Sequence, residues 1–336
     1  MTDGPSGQAP EAGSPSEDRA ALVREDGEGL RLALARGYYL EDLSKVALAD
    51  AFGLSRFRVA RLLQEARRQG LVRIEVGAAG RVDREISAAL QELLGVRRAV
   101  VVGTAGADPH SALEHVGAAM ADQLVAEVAE NDVLGITWSA AITVMAERLH
   151  RLSPLPRCQV LQLGGAVYPP AGMPGSVEVA RQVAAAAGVT AEAIYSPLVV
   201  PDSQTADGLR RQPEIAAVLD AARGLDVAVL SVGSWQPSRS AVYDLLSPAE
   251  AEALAEAGVC GEVSGRLFDA DGRFLHTPLD ERVVGIDART LAGVPRLLVS
   301  SHGAHRADAT RAAVRAGLVH TLVCDADLAV ALLADA

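Results

Sequence analysis

The chain has 336 residues, of which 43 are acidic and 31 basic, so its formal charge is −12. The negative sign excludes a histone-like protein coated in positive charge, and Lys45, the only lysine, argues against a Schiff-base enzyme. A P-loop NTPase is excluded because no Gly-x-x-x-x-Gly-Lys-Ser/Thr motif occurs.

The N-terminal segment, residues 1–24, is predicted to be a disordered tail. It is rich in Gly, Pro, Ser and acidic residues, so it buries too little apolar surface to offset the entropy of ordering. It lacks the features of a signal peptide, and no apolar run in the chain approaches the roughly 18 residues that span a bilayer. The cysteines, Cys158, Cys260 and Cys324, are too few and too far apart for a disulfide framework. We therefore expect a cytoplasmic protein without a membrane partner.

Residues 25–78 are predicted to form a small helical domain. Two short helices are indicated at about 29–39 and 43–50. After a glycine break, Ser55 is a good N-cap for a third helix that runs to about Gln69. Helical spacing gives this helix one buried face, which consists of Val59, Leu62, Leu63 and Ala66. The alternation that follows, at 71–76, predicts a strand.

The charge is unevenly distributed, and this helical domain carries a positive patch. Between Lys45 and Arg73 there are seven basic and two acidic residues, so the segment carries +5 and the rest of the chain carries −17. In a helix-turn-helix the second helix enters the major groove N-terminus first, where arginine reads guanine and holds phosphates. A basic solvated helix face is the alternative, but two helices, a glycine turn and a capped basic helix together favour DNA. The candidate DNA-binding residues are Lys45, Ser55, Arg56, Arg58, Arg61, Arg67, Arg68 and Arg73.

From Tyr38 to Val76 the chain resembles, without gaps, the DNA-binding domain of SorC-type sugar-responsive transcriptional regulators. The matching motifs include Tyr38-Tyr39, Leu48-Ala49, Phe52-Gly53-Leu54-Ser55-Arg56, Arg61-Leu62-Leu63, Ala66-Arg67 and Gly70-Leu71-Val72-Arg73-Ile74. Lys45 departs from the family, which usually has glutamine at this position, so we expect a phosphate or base-edge contact made there to shift.

Residues 79–336 show a different pattern, in which short apolar runs alternate with helical stretches. Strands are predicted at 99–103, 133–136, 159–163, 193–200, 227–232, 283–286, 297–300 and 321–324. Helices are predicted at 83–94, 111–129, 141–150, 177–187, 214–223, 248–257, 305–316 and 326–334. The predicted fold class is α/β, with the helix-turn-helix domain followed by a larger, mostly parallel α/β domain.

This larger domain is similar to the effector domain of the same family, whose fold resembles ribose-phosphate isomerases and glucosamine-phosphate deaminases. The resemblance is carried by Asp132-Val133-Leu134-Gly135-Ile136-Thr137-Trp138, Gln162-Leu163-Gly164-Gly165, Ala180-Arg181, Pro197-Leu198-Val199-Val200-Pro201-Asp202, the run from Gly258 to Gly272, and Ala309-Thr310-Arg311. It implies a sugar-binding and oligomerising domain.

A ligand of such a sheet binds beyond the carboxyl ends of the strands, near helix N-termini whose N–H groups suit phosphate. Three loops qualify, at 137–143, 163–166 and 300–306. The resemblance implies a Trp-Gly-x-Thr phosphate cradle in the first loop and Gly-Gly-x-x-Lys in the last. Here these are Trp138-Ser139-Ala140-Ala141 and His302-Gly303-Ala304-His305-Arg306. The candidate effector-binding residues are Thr137, Trp138, Ser139, Thr143, Gly164, Gly165, Arg181, Glu262, His302, Gly303, His305 and Arg306.

The departures from the family leave two interpretations of the pocket. The phosphate cradle of the first loop is weakened, while cationic His302, His305 and Arg306 are gathered in the last loop. This combination indicates an anion-binding pocket for an altered ligand. The alternative is a pocket that no longer binds a ligand, in a domain that serves only oligomerisation. Glu262 either faces a ligand hydroxyl or is a solvated turn residue. Trp138 is interpreted as pocket wall or core rather than a stacking platform. Two histidines are too few for a metal site, and no cofactor is expected.

The resulting prediction is a sequence-specific DNA-binding transcriptional regulator, not an enzyme, whose α/β domain senses a sugar or sugar phosphate. Its expected partners are double-stranded operator DNA, that effector, and further copies in a homodimer or homotetramer. An isomerase- or deaminase-like enzyme is one alternative, although the larger domain has no lysine and no acid/base pair at a specific spacing. A ligand-independent oligomeric DNA-binding protein is the other.

Overall fold

The computed structural model describes residues 27–39, 41, 43–68, 71–72, 82–103, 105–152, 154–167 and 173–334. The chain divides into two compact units, with the boundary after residue 77. The expected tail, Arg73 and most of the strand expected at 71–76 lie outside the described residues. Within the described part, no helix combines the length and apolar character that a bilayer span requires.

The N-terminal unit consists of three helices, α1 (Glu28–Tyr39), α2 (Lys45–Phe52) and α3 (Arg56–Arg68). Gly53, at φ +63°, ends α2 in the left-handed conformation that glycine adopts without a steric penalty. The Ser55 hydroxyl then accepts a hydrogen bond from the Arg58 N–H at 3.2 Å, which confirms it as the cap of α3. The core of the unit consists of Leu30, Leu34, Ala35, Leu48, Ala49, Val59, Leu62 and Leu63. Ala66, the fourth residue of the expected face of α3, is also buried.

The second unit is built on a six-stranded, wholly parallel sheet in the order β1-β9-β8-β4-β2-β3. Its strands are β1 (Arg98–Val102), β2 (Val133–Ile136), β3 (Gln159–Gln162), β4 (Val227–Ser231), β8 (Arg296–Ser301) and β9 (Thr321–Asp325). One buried cluster lies on each face of the sheet, and successive residues of a strand pack into opposite clusters, because side chains alternate across a sheet. In β4, Val227 and Val229 join one buried cluster, while Ala228 and Leu230 join the other. Both faces are therefore covered, as the apolar strands predict.

Helices connect these strands and cover the sheet. They are α4 (Arg84–Leu94), α5 (Pro109–Glu127), α6 (Ala140–Leu152), α7 (Ser176–Ala186), α8 (Ser203–Arg210), α9 (Pro213–Ala221), α10 (Pro248–Glu256), α11 (Pro278–Arg282), α12 (Ala288–Ala292), α13 (Ala307–Arg315) and α14 (Ala326–Ala334). Sequence analysis missed α8, α11 and α12. All three are short, and each begins with a side-chain cap; for α8, the Asp202 carboxylate accepts the Thr205 N–H at 2.7 Å.

Two predicted strands, 193–200 and 283–286, are wrong. Both segments form only isolated bridges, such as Val199 with Val283 and Ala166 with Pro197. Guanidinium groups replace the missing ladder partners: Arg210 donates to the Val283 carbonyl at 2.8 Å, and Arg282 donates to the Val200 carbonyl at 2.9 Å. Backbone groups of the two segments also bond each other and the loop after β3, as when the Val284 N–H donates to the Leu198 carbonyl at 2.8 Å. The apolar runs are therefore buried without belonging to the sheet, because backbone and guanidinium partners together satisfy their polar groups.

A second, antiparallel sheet was not predicted. It consists of β5 (Gly233–Ser234), β6 (Gly261–Val263) and β7 (Arg266–Phe268). The turn between β6 and β7 places Ser264 at φ +52° and Gly265 at φ +79°, the positive values that suit a tight hairpin. The hairpin carries Glu262, on β6, into the lining of a cavity beside the parallel sheet.

Candidate functional site

The outward face of α3 carries the basic side chains expected to meet DNA. Arg56, Arg61, Arg67 and Arg68 are exposed, and Arg58 is partly buried. Arg61 lies 3.7 Å from Glu65, its i+4 neighbour, a surface pair whose contribution to stability is small. The Ser55 cap fixes where α3 begins, so its first turn is well formed. The exposed arginines therefore project from a capped helix whose opposite face is buried.

Lys45 is placed differently from the arginines. Its ammonium lies 5.3 Å from the centroid of the Tyr38 ring, which is a cation–π distance. The lysine is partly buried at the start of α2. Lys45 thus connects the end of α1 to the start of α2 and places a positive charge there.

A cavity of about 1040 Å³ lies in the α/β unit, at the carboxyl ends of the parallel strands. β2 contributes Ile136 and the following Thr137, β4 contributes Ser231, and β9 contributes Asp325. This is the position that an open α/β sheet predicts for a ligand. The expected residues that line it are Thr137, Trp138, Ser139, Gly164, Gly165, Glu262, His302, Gly303, His305 and Arg306.

The loop after β8 supplies the cavity's central cation. Arg306 donates hydrogen bonds to the carbonyls of His302 at 2.6 Å and Arg239 at 3.2 Å, which hold the guanidinium in place. Gly303, at φ +83°, allows the loop to turn, and its N–H donates to the Asp325 carboxylate at 2.9 Å. The carboxylate at the end of β9 therefore anchors the cationic loop after β8.

The two histidines are not cations, contrary to expectation. Burial lowers the pKa of His302 to about 3, helped by the charges of Arg306 and Arg239. Burial and the two arginines lower the pKa of His305 to about 4. Arg306 itself stays protonated at neutral pH, since burial and Arg239 lower its pKa only to about 10. The loop thus offers one fixed cation and two neutral imidazoles.

Glu262 is buried, so its interpretation as a solvated turn residue is wrong. Its carboxylate accepts hydrogen bonds from the Ser240 hydroxyl and the Gly265 N–H, each at 3.0 Å. Burial raises its pKa, and Arg306 opposes that rise. Gly233 makes room for it, since a β-carbon there would lie 2.4 Å from a Glu262 carboxylate oxygen. Glu262 is therefore a held, buried acceptor in the cavity wall.

The loop after β2 uses its hydroxyl groups for the fold. Thr137 Oγ1 donates to the Val229 carbonyl at 2.9 Å, and Ser139 Oγ accepts the Ile142 N–H at 3.1 Å as the cap of α6. Trp138 donates from its indole to the Pro174 carbonyl at 3.0 Å and packs against buried side chains. Trp138 is thus part of the cavity wall, as interpreted from sequence.

Two expected effector residues lie outside the cavity lining. Thr143 is buried within α6, where its hydroxyl donates to the Ser139 carbonyl at 3.0 Å, so it does not replace the threonine of the family's cradle. Arg181 is exposed on α7 and donates to the Tyr195 hydroxyl at 3.1 Å. Both were assigned from resemblance alone, which does not fix the direction of a side chain.

Sequence reasoning also missed several lining residues, among them Asp325, Arg239, His110 and Gln162. Asp325 ends β9 and His110 begins α5, so the rule that ligands bind at strand ends and helix starts could have found both. Gln162 ends β3, and its Nε2 donates to the Gly164 carbonyl at 2.6 Å. Arg239 lies in an irregular loop and has no comparable sequence signal.

The cavity presents polar atoms that a ligand can use. His302 Nδ1, His305 Nε2, Arg306 Nε and Gln162 Oε1 are buried and have no hydrogen-bond partner among the described residues. Such groups cost free energy unless they are paired, which favours a ligand rich in hydroxyl or anionic oxygens. No group of three His, Cys, Asp or Glu side chains suited to a metal ion occurs in the described part of the chain.

Comparisons with known proteins also indicate a sugar-binding domain. Residues 80–334 match the family model "Sugar-bind: Putative sugar-binding domain". The chain is 25% identical over 322 residues to the transcriptional regulator LsrR of Klebsiella pneumoniae, covering 95% of this chain and 97% of the relative. It is 22% identical to the deoxyribonucleoside regulator of Bacillus subtilis, covering 91% of this chain and 97% of that protein.

Solved structures share the fold. The full-length sorbitol operon regulator SorC from Klebsiella pneumoniae superposes with a TM-score of 0.66 at 19% identity, covering 93% of this chain and 99% of that chain. A DeoR family transcriptional regulator from Listeria monocytogenes gives a TM-score of 0.65 at 23% identity, covering 74% of this chain and 98% of that chain.

Proposed function

The chain belongs to the SorC family of sugar-binding transcriptional regulators, and on that premise we propose how it works. Its N-terminal unit is a helix-turn-helix that binds a double-stranded operator through α3. Its α/β unit binds a sugar or sugar phosphate in the 1040 Å³ cavity and alters operator binding. The observation that carries the proposal is the capped, basic outer face of α3 in a chain that otherwise carries strong negative charge.

The DNA-binding part rests on the geometry of α3. Its N-terminal turns enter the major groove in a helix-turn-helix, and Arg56 and Arg61 are exposed on the first and second of them. Arg67 and Arg68, at the other end, suit phosphate contacts. The rest of the chain carries −17 and is repelled by DNA, so the attraction is confined to the positive segment 45–73.

The effector part rests on the composition of the cavity wall. A fixed Arg306 cation suits a carboxylate or phosphate, and buried Glu262 suits a hydroxyl donor. The neutral imidazoles can accept as well as donate hydrogen bonds. Since the relatives are named as regulators, the isomerase- or deaminase-like alternative loses support. A homodimer or homotetramer would place the paired α3 helices that two operator half-sites need.

The test uses the full chain and DNA selected from a random duplex library. We expect a specific sequence to be recovered, and Arg61→Ala to weaken its binding by about 1–3 kcal/mol in fluorescence anisotropy. Arg223→Ala is the matched control, because that arginine lies on the surface of the α/β unit. Failure to select any sequence, or equal binding by Arg61→Ala, would contradict the DNA-binding proposal.

The effector arm screens sugars and sugar phosphates by thermal shift and then adds each hit to the operator complex. A ligand of the folded state raises the melting temperature, with a stabilisation of RT ln(1 + [L]/Kd). We expect at least one hit to change operator affinity. Hits that leave operator affinity unchanged would favour the ligand-independent alternative.

A further inference from the structure

The first turn of α3 exposes a large apolar side chain, Phe57. It is 87% exposed, the highest value of any large hydrophobic residue that the structure describes. The phenyl ring makes no contribution to the core of the N-terminal unit, which consists of other residues. Water therefore covers most of a side chain whose burial in a complex would be favourable.

Helix geometry aims this ring directly away from the unit. At about 100° per residue, Phe57 lies about 180° from the centre of the buried stripe formed by Val59, Leu62, Leu63 and Ala66. The same geometry places Arg61, Gln64 and Arg68 within about 40° of Phe57, and all three are exposed. The outward stripe of α3 is thus one phenyl ring followed by two cations and an amide.

This setting favours a base edge over a protein partner. A protein partner that buried Phe57 would need a contiguous apolar patch on this face of α3. Phe57 is instead the one apolar residue of its stripe, among polar and charged side chains. In the major groove the 5-methyl group of thymine is the apolar feature, and phenylalanine is one of the side chains that contact it. Its neighbours supply donors for phosphates and purines.

Resting on the proposed operator binding, we propose that Phe57 is a specificity-determining residue that reads the methyl group of a thymine in each half-site. The Ser55 cap starts α3 two residues earlier, so Phe57 lies on the turn that goes deepest into the groove. The arginines supply affinity and read guanine. Phe57 adds the distinction between thymine and the other pyrimidine, which lacks the methyl group.

The experiment replaces each thymine of the selected operator, one at a time, by uracil, which differs only by that methyl group. For the wild-type chain we expect one thymine per half-site at which uracil weakens binding about fourfold, the value of one buried carbon group. Phe57→Ala should bind the thymine operator more weakly and lose this discrimination. Phe57→Leu should retain part of it.

Leu32→Ala is the matched control, since Leu32 is a partly exposed apolar residue on α1. It should discriminate thymine from uracil as the wild type does. Phe57→Ala should keep the wild-type melting temperature because the ring is exposed. If Phe57→Ala retains full discrimination, or if no position distinguishes thymine from uracil, the inference is wrong while operator binding stands. Failure to select any operator would overturn both.

Discussion

At the residue scale, burial decides the chemistry of the cavity more than residue type does. His302 and His305 are neutral because burial and the nearby charge of Arg306 disfavour a second cation. Glu262 shows the opposite case, in which burial raises the pKa of a carboxyl. Two histidines and an arginine in one loop suggest three cations, but the folded environment leaves only one.

The lowered pKa of His302 predicts a specific loss of stability in acid. Its folded pKa of about 3 lies below the unfolded value near 6.5, so the unfolded state binds more protons between these values. The stabilisation from this residue is complete above pH 6.5 and is lost as the pH falls towards 3. Between pH 8 and pH 5 the wild type should lose on the order of 1–2 kcal/mol more stability than His302→Asn.

Urea unfolding at several pH values measures this difference. His276→Asn is the control for the replacement of a histidine by asparagine at an exposed position. Equal pH dependence in wild type and His302→Asn would show that His302 takes up its proton in the folded protein.

At the element scale, two glycines decide how closely the loops around the cavity approach one another. A β-carbon on Gly165 would lie 2.4 Å from the Pro197 carbonyl oxygen, and one on Gly233 would meet Glu262 at the same distance. Gly165 follows β3, and Pro197 lies in the segment wrongly predicted as a strand. That segment packs on the loop through backbone contact, which explains why it is buried without pairing as a strand.

Gly165→Ala should therefore destabilise the α/β unit by about 1–3 kcal/mol, because the backbone it meets cannot move aside cheaply. Gly208→Ala is the matched control. It lies inside α8 with no atom within 4 Å of the added carbon, so alanine should stabilise the protein by about 0.5–1 kcal/mol. Thermal unfolding measures both changes. A neutral Gly165→Ala would mean that the loop and the 193–200 segment separate readily.

At the scale of the whole molecule, function requires that two units influence one DNA target. The three-helix unit carries the positive patch, and the α/β unit carries the cavity. A ligand changes DNA affinity only if it binds one arrangement of the protein more tightly than another. We propose that in an oligomer such a change alters the placement of paired helices and leaves the binding of a single half-site unchanged.

The effector should therefore act on paired half-sites and not on isolated ones. We expect a DNA with two half-sites about one helical turn apart to bind more tightly than a DNA with one. The active sugar should change the affinity for the DNA with two half-sites and leave the affinity for the DNA with one half-site unchanged. Light scattering should show that the protein is a dimer or tetramer. If the sugar changes the affinity for both DNAs equally, the effector acts on the DNA contact of each single copy and not on the placement of paired copies.

The sequence by itself identified the helices and strands whose apolar pattern is long and regular. The Ser55 cap, the buried stripe of α3 and six of the eight strands predicted in the larger domain are confirmed, because periodicity and capping are local properties. The loops that line the cavity also followed from a local rule, since strand ends and helix starts can be read along the chain.

Tertiary structure alone decided the rest. The 193–200 and 283–286 runs are as apolar as strands, but Arg210 and Arg282 satisfy their carbonyls from distant parts of the chain. The entry of Asp325 and Arg239 into the cavity depends on how distant segments of the chain come together. The neutral state of His302 depends first on its burial, which only the folded chain provides. Local pattern determines which segments are helical, extended or buried, whereas burial and long-range partners determine what each polar side chain in the cavity can do.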